Sequence, residues 1–260
     1  MSKQKDKNFY IDQREKLHAY DFKKETGKNH PRYPELFSFV NKFNLFKKKF
    51  LEIGSSTGAL QNIVQDYTGT DVAESLKKYY TKPYYVVVDD KLPFEDETFE
   101  VVFTFDTYEH IINLDQMMNE MIRVVKPGGY ILFQPAWQCR SWHADGYPVR
   151  PYSDFNILGK LIKFSILLRE RKVYRFIKLF PKRVIRHLFF ILGFKPNKLN
   201  YISIKANYDH FWMSDSDACN SIDGHDAILW FKNKNFKCIN YQNTITQLFF
   251  ISKTLIFKKN

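Results

Sequence analysis

The segment Phe50-Leu51-Glu52-Ile53-Gly54-Ser55-Ser56-Thr57-Gly58-Ala59-Leu60 constrains this chain more than any other: an apolar run, a bend of small residues, then an apolar pattern of helical type. A strand feeding a helix through such a bend opens an α/β sheet, whose ligands sit beyond the carboxyl ends of the strands. The bend also excludes ligands. A dinucleotide site asks for G-x-G-x-x-G, its second glycine admitting the pyrophosphate, whereas Ser56 stands in that place and the next glycine is Gly58. A phosphate loop asks for G-x-x-x-x-G-K-[ST], which is absent. Glu52, at the end of the strand, would repel phosphate and attract a cation such as a sulfonium or an ammonium.

Downstream, short apolar runs alternate with helical patterns. Strands are expected near Phe50–Ile53, Tyr84–Val88, Val101–Phe105 and Tyr130–Phe133, and helices over Ala59–Tyr67, Val72–Tyr80 and Leu114–Val125. Continuous apolar strands separated by helices predict a parallel sheet covered on both faces. Lys126-Pro127-Gly128-Gly129 reads as a helix stop followed directly by a strand. Upstream, an amphipathic helix is expected from Pro34 to Phe46. Beyond Pro135 the pattern changes to an aromatic-rich loop and then basic helices, from Arg140 to about Lys205, broken at Pro181 and Pro196. The end resumes the alternation with a helix from about His225 to Asn235 and strand-like FKCINY and LIFKK. The domain expectation is a helical cap over 1–48, a ligand-binding core over 49–136, a basic insertion or lid over 137–210, and completion of the sheet over 211–260.

At 260 residues with 44% hydrophobic content, 25 Phe and 16 Tyr, the chain has ample apolar surface to fold around one core with an elaboration. No apolar run approaches the roughly 18 residues of a membrane span. The start lacks the apolar centre of a secretory signal, and Cys139, Cys219 and Cys238 show no paired spacing, so a reduced, cytoplasmic setting is expected. The net charge of +12 is uneven: thirteen bases lie between Gly159 and Lys205 against Glu170 alone.

LEIGSSTG resembles motif I of the class I S-adenosylmethionine-dependent methyltransferases, whose common form is an acidic residue, one further residue, then G-x-G-x-G; Ser56 departs from it as another small residue. Other landmarks follow in the family's order. Gly69-Thr70-Asp71-Val72 looks like the end of the second strand, where an acid takes the ribose hydroxyls, and Asp71 lies 19 residues beyond Glu52, close to the spacing of about 20 for ribose-binding acids. Asp89-Asp90-Lys91-Leu92-Pro93-Phe94 is similar to the stretch that meets the adenine amine. Phe105-Asp106-Thr107-Tyr108-Glu109-His110-Ile111, then Arg123 to Tyr130 with its K-P-G-G turn, resemble the fourth strand and the turn into the fifth. The resemblance is strong over residues 50 to 136 and weak over the C-terminal strands. It implies a doubly wound, Rossmann-like α/β sheet of seven strands, mostly parallel, with the basic helices inserted after the fifth strand. It also implies S-adenosylmethionine as cofactor and S-adenosylhomocysteine as product. The cofactor contacts it implies are Glu52, Gly54, Ser55, Ser56, Gly58, Asp71, Val72, Asp89, Asp90, Lys91, Leu92, Phe105 and Asp106.

Methyl transfer from a sulfonium releases a neutral thioether, so placement of the acceptor matters most, and a hydroxyl acceptor also needs a base. His110 and His143 are the candidates, with Asp106 and Asp145 as orienting carboxylates; each histidine has a purely structural reading beside it, as Asp71 has one as a helix N-cap. Arg140 and Arg150 flank the HADGYP loop and suit phosphate, and with Tyr108 they are the candidate substrate ligands. His210, Asp215, Asp217 and His225 are weaker candidates. No pair shows metal-ligand spacing, so no metal is expected. The charge excess favours an anionic acceptor. The PAWQCRSW and ADGYPVRPYSDF stretches are similar to methyltransferases of bacterial surface-polysaccharide biosynthesis, which implies a phosphorylated or nucleotide-linked precursor, as of capsule. Three alternatives stand beside this. An RNA methyltransferase would use the same bases, but the chain carries no recognised nucleic-acid module. A peripheral lipid methyltransferase would lay residues 160 to 194 on an anionic membrane. A non-catalytic protein would retain only the cofactor pocket.

Overall fold

The computed structural model describes residues 26–208, 215–250 and 253–260. Its helices are α1 (Tyr33–Lys42), α2 (Leu114–Val124), α3 (Ser141–Ala144), α4 (Ile157–Arg169), α5 (Lys172–Ile191), α6 (Gly224–Asn233) and α7 (Thr244–Leu248). The strands are β1 (Lys49–Ile53), β2 (Asp66–Asp71), β3 (Tyr84–Val86), β4 (Phe99–Phe105), β5 (Val125–Gln134), β6 (Tyr201–Ser203), β7 (Asn220–Ile222), β8 (Phe236–Cys238) and β9 (Leu255–Lys259). Seven strands form one sheet in the order β3-β2-β1-β4-β5-β9-β8, while β6 and β7 pair antiparallel by themselves. The pairs β1–β2, β1–β4, β2–β3 and β4–β5 are all parallel. This is the Rossmann-like α/β sheet expected. By contacts the described residues divide into two compact units, 26–108 with Ile112–Pro135 and Ile256–Asn260, and Glu109–Ile111 with 136–208, 215–250 and 253–255.

In the first unit, chain order runs outward from β1 to β2 and β3 on one side and resumes at β4 and β5 on the other. The reversal leaves a crevice beyond the carboxyl ends of β1 and β4, where open α/β sheets bind ligands. Phe50, Leu51, Val101, Val102 and Phe103 are fully buried because both faces of these central strands are covered. On α2, Leu114, Met117, Met118, Met121 and Val124 are buried at helical spacing, with Asp115 in the first turn and Arg123 in the last, as the helix dipole favours.

Several boundaries differ from the sequence reading, each for a local reason. Helix α1 ends at Lys42 instead of Phe46: Asn44 takes a φ of 53°, the Asn44 amide donates to the Asn41 carbonyl at 3.2 Å, and the Leu45 amide donates to that of Val40 at 2.9 Å. That is a Schellman stop built on asparagine. No helix follows the bend after β1. Between Gly58 and Asp66 the chain makes successive turns, such as Gln61 N–H to the Gly58 carbonyl at 3.1 Å, while Leu60, Ile63 and Val64 still reach the core. The stretch is too short for a helix and its return to β2. Only a 3₁₀ helix, Glu74–Tyr79, stands where Val72–Tyr80 was expected. The K-P-G-G turn is part of β5 itself, beside an irregularity in the β4–β5 register between Phe99 and Val101, with Gly128 at a φ of 73°.

In the second unit, α5 runs through Pro181 without breaking. The stop is Gly193, at a φ of 96°, where the Phe194 amide donates to the Phe189 carbonyl at 3.0 Å and the Gly193 amide to that of Phe190 at 3.2 Å. Pro196 therefore lies beyond the helix end. Strand β6 lies at the end of the stretch expected to be helical and its partner β7 beyond it, and neither carries a clear alternation in sequence.

Candidate functional site

The bend after β1 is built on positive φ at Gly54 (72°), Ser56 (48°) and Gly58 (68°). Both the Gly54 and Ser55 amides donate to the Thr70 carbonyl at 2.9 Å, which ties the bend to the end of β2. Gly54 is required twice over, since a Cβ there would lie 2.2 Å from Thr107 Cγ2. Ser56 tolerates the left-handed conformation because its amide is fixed: it donates to Asp71 Oδ2 at 2.8 Å, while the Val72 amide donates to Asp71 Oδ1 at 2.7 Å.

Two tyrosines that no motif announced complete this network. The Tyr80 hydroxyl donates to Ser55 Oγ at 2.6 Å and lies 2.9 Å from the Ser56 carbonyl. Its ring fills the space that side chains at Gly58 and Gly69 would need. The Tyr67 hydroxyl donates to Glu52 Oε2. Glu52 is buried, and burial pushes its carboxyl up to about 8; the Tyr67 hydrogen bond opposes the rise and the nearby Asp71 charge adds to it. The fold therefore favours the protonated form of Glu52 more than free solution does, a bias that a cation beside it would oppose.

These residues fit S-adenosylmethionine. Two backbone amides fix the Asp71 carboxylate at the strand end, and each of its oxygens keeps further acceptor capacity, as paired ribose hydroxyls require. The glycines keep the bend free of side chains, and Glu52 supplies a charge that a sulfonium or ammonium would stabilise.

Asp89 and Asp90 have φ of 52° and 55°, and the Lys91 amide donates to the Val88 carbonyl at 3.0 Å, which makes a type I′ turn. Helix α2 pins that turn: Gln116 Nε2 donates to the Asp89 carbonyl at 3.0 Å and the Leu92 amide to Glu120 Oε2 at 2.8 Å. Asp106, at a φ of 48° just past β4, accepts both Arg32 Nη2 contacts, at 2.9 and 2.7 Å, and Nε at 3.1 Å. Sequence did not single out Arg32, yet this guanidinium, and not a histidine, pairs with Asp106. Arg32 also stands over the ring of Phe105, 5.6 Å from its centroid. Tyr108 is a correction. It is fully buried, with its hydroxyl donating to the Met117 carbonyl at 3.2 Å, so its position is in the core, with no surface for a substrate.

The second unit gathers the other candidates. His110 Nδ1 lies 3.3 Å from Asp217 Oδ2, and His110 Nε2 lies 3.6 Å from Oε1 of the fully buried Glu109. The Cys219 amide donates to the Glu109 carbonyl at 2.8 Å and Asn220 Nδ2 to that of Ile111 at 2.6 Å, which fixes this short segment against β7. Ligand atoms of Glu109, His110 and Asp215 also lie within 4.8 Å of one another, a grouping with the donor types of a divalent-cation site, though carboxylate groupings are common without an ion. Sequence spacing could not show it, because Asp215 and Asp217 join His110 only through the fold. His143 Nε2 lies 3.6 Å from Glu170 Oε1. The carboxylates beside the two histidines are thus Glu109, Asp217 and Glu170, in place of the expected Asp106 and Asp145. His210 lies outside the described residues.

Arg150 serves its own loop: its guanidinium stands 4.5 Å from the Phe155 ring, lies 3.6 Å from Asp154, and donates to the Asp145 carbonyl at 3.4 Å. Arg140 stands over Trp142 at 5.6 Å. Burial, and then the charge of Arg175, lower Arg140 to about 10. Arg175 donates to Gln138 Oε1 at 2.9 Å, and burial and the charge of Arg183 lower it as well. His225 pairs with His187, Nε2 to Nδ1 at 3.2 Å, inside this unit.

A doubly wound parallel sheet, a glycine bend at its switch point and an acid held at the end of the next strand define an α/β domain that binds a cationic nucleoside cofactor. Residues 51–133 match the family described as methyltransferase domain, and this segment is a class I S-adenosylmethionine-dependent methyltransferase domain. Over 111 residues the chain is 30% identical to phthiotriol/phenolphthiotriol dimycocerosates methyltransferase 1 of Mycobacterium ulcerans, covering 38% of this chain and 41% of that protein. Over 124 residues it is 27% identical to malonyl-[acyl-carrier protein] O-methyltransferase 1 of Coxiella burnetii, covering 43% and 44%. A putative methyltransferase of Bacillus halodurans aligns in structure with a TM-score of 0.45 at 13% identity, covering 78% of this chain and 70% of that one. The chain spans less than half the length of the curated relatives it matches.

Proposed function

We propose that this chain transfers a methyl group from S-adenosylmethionine to a hydroxyl of a small anionic acceptor, phosphorylated or nucleotide-linked, such as a precursor of a bacterial surface polysaccharide. When bound, the cofactor supplies an electrophilic methyl on a sulfonium that leaves as a neutral thioether. In this reading the bend after β1, with Asp71, the Asp89–Leu92 turn, Phe105 and Asp106, binds and orients the cofactor. His110 takes the acceptor proton at Nε2, with Asp217 holding the Nδ1 side, the division of labour seen wherever a carboxylate orients a catalytic imidazole. The observation that carries the proposal is His110 set 3.3 Å from Asp217 on one nitrogen. Support for an anionic acceptor comes from Arg140 beside Arg175, two partly buried cations that an anion would relieve. We assign the acceptor side to the basic segment 137–210. A cytoplasmic setting accords with three free cysteines.

The test is turnover with methyl-labelled cofactor and fractionated anionic metabolites. His110→Ala is expected to lower kcat by about 100-fold or more, as loss of a general base does. Asp217→Asn should cost less and shift the pH profile, while His143→Ala should leave kcat near that of the parent. Undiminished turnover in His110→Ala removes the assignment of the base. A lipid hydroxyl is the second reading, favoured by relatives named for phthiotriol dimycocerosates and tocopherol. Label that partitions into organic solvent would select it.

A further inference from the structure

Helices α4 and α5 turn bulky apolar side chains outward. On α4, Ile157, Leu161, Phe164 and Leu168 recur at helical spacing along one stripe, with Ile157 81% and Phe164 67% exposed, while Gly159 and Ile166 are its buried residues. On α5, Val173, Ile177, Leu188 and Ile191 make a second stripe, with Val173 70% exposed, and the buried residues are Arg183 and His187. Between positions 157 and 194, fourteen large apolar residues are more than half exposed. A stripe of this length on a helix ordinarily faces a core, so two of them facing outward on consecutive helices mark an interaction surface.

Charge says what covers it. Lys160, Arg171, Lys172, Lys178, Lys182 and Lys195 are exposed along the same stretch, where Glu170 is the one acid between Asn156 and Lys198. Other bases of these helices are directed to groups within the unit: Lys163 donates to the Arg150 carbonyl, Arg175 to Gln138, Arg183 to Asp223 and Arg186 to Asp226. The exposed bases are therefore a separate set. Lysine stems that lie along an apolar boundary and carry their ammonium groups outward suit a bilayer interface with anionic headgroups. A second copy would bring the same basic face against itself, which opposes pairing. Among the described residues no helix is long and apolar enough to cross a membrane, so the helices would lie on the surface.

We propose that α4 and α5 form a docking surface for an anionic phospholipid bilayer. Their apolar stripes enter the interfacial layer, and the flanking lysines and Arg171 meet the headgroups. The inference goes beyond methyl transfer and does not depend on it.

The test is co-sedimentation of the full chain with vesicles of phosphatidylcholine alone and of phosphatidylcholine with an equal amount of phosphatidylglycerol. The parent should pellet with the anionic vesicles, remain in solution with the neutral ones, and be released by added salt. The doubly substituted variants Leu161→Glu/Phe164→Glu and Ile177→Glu/Leu188→Glu change only exposed positions, and each should weaken vesicle binding by more than about tenfold. The proposal is overturned if monodisperse parent protein stays in solution with anionic vesicles, or if both variants bind as the parent does. It is also overturned if the parent is a dimer that these substitutions dissociate, because the face is then an interface between copies. Vesicle binding is read without any acceptor, so its failure leaves the catalytic reading standing, and the reverse holds as well.

Discussion

The Ser56 amide donates to Asp71 Oδ2 at 2.8 Å, joining the glycine bend after β1 to the acid that ends β2. The two landmarks are one structural unit: the carboxylate that would bind the cofactor also holds the bend in its left-handed conformation. Asp71→Ala is therefore expected to remove a charged acceptor and loosen the bend together. Hydrogen bonds to charged groups are worth about 1.5–3 kcal/mol, so S-adenosylhomocysteine binding should weaken by roughly 10- to 100-fold. Asp71→Asn, which keeps one carbonyl acceptor, should fall between. Calorimetric titration reads this directly, and an unchanged Kd in the alanine variant would take Asp71 out of the site.

Two glycines of nearly equal φ separate conformational strain from steric overlap. Gly54 (72°) faces Thr107, whereas Gly128 (73°) has nothing within 4 Å of the position a Cβ would take. Gly128→Ala should cost about 1 kcal/mol, the backbone contribution alone. Gly54→Ala adds the overlap with Thr107 and should cost about 1–3 kcal/mol more. Adding Thr107→Gly should recover the second part and leave the first. Urea denaturation of the four proteins tests the separation; equal losses at the two glycines would show that Thr107 yields freely.

What sequence could show here follows from the range of each interaction. The sheet was legible because β1, β4 and β5 are apolar runs buried on both faces, and the order of landmarks along them is local. The helix expected after the bend was not, because Leu60, Ile63 and Val64 keep a helical spacing in a stretch that only turns. The stop at Gly193 is less conspicuous in sequence than Pro196, although glycine is the residue that closes a Schellman motif. Partners distant in the chain escaped altogether. Nothing near Glu52 signals Tyr67 as its donor, and nothing near His110 signals Asp217. Arg183, one of the thirteen bases between Gly159 and Lys205, is buried through a pairing with Asp223, forty positions away.

Glu52 makes stability and cofactor binding depend on pH with opposite signs. Burial raises its carboxyl from 4.5 to about 8, so between those values the folded chain keeps a proton that the unfolded chain releases. Stability from this group is full below 4.5 and is lost as pH rises through about 8. Glu52→Gln should remove that loss, so the variant gains on the parent as the solution is made alkaline. A cationic cofactor prefers the ionised carboxylate, so parent affinity should increase with pH up to about 8 and then level. Denaturation midpoints across pH, and heats of binding compared in buffers of different ionisation enthalpy, check the two signs. Binding without proton release at neutral pH would mean that the cofactor does not sense Glu52.

Arg183 offers the sharpest stability test in the second unit. Its Nε and Nη2 donate to Asp223 at 3.0 and 2.6 Å, and its Nη1 donates to the Leu248 and Phe250 carbonyls at 2.9 Å each. The side chain is 3% exposed. Arg183→Met would leave the Asp223 carboxylate buried without its guanidinium, a change that costs about 3–5 kcal/mol at neutral pH. In the parent, Asp223 is held below its ordinary value; burial alone would raise it, but the Arg183 hydrogen bonds, the Arg183 charge and the His225 amide outweigh that. Its contribution is therefore present above the ordinary carboxylate range and is lost as pH falls through the lowered value. Without Arg183 the carboxyl should take up a proton more readily, so the deficit of the variant should shrink in acid. Adding Asp223→Asn should likewise recover part of the loss at neutral pH. Urea midpoints for parent, single and double variants at neutral and acidic pH test this: a neutral-pH loss below about 0.5 kcal/mol, the size expected of an exposed arginine, would mean that Arg183 does not hold this part of the fold together.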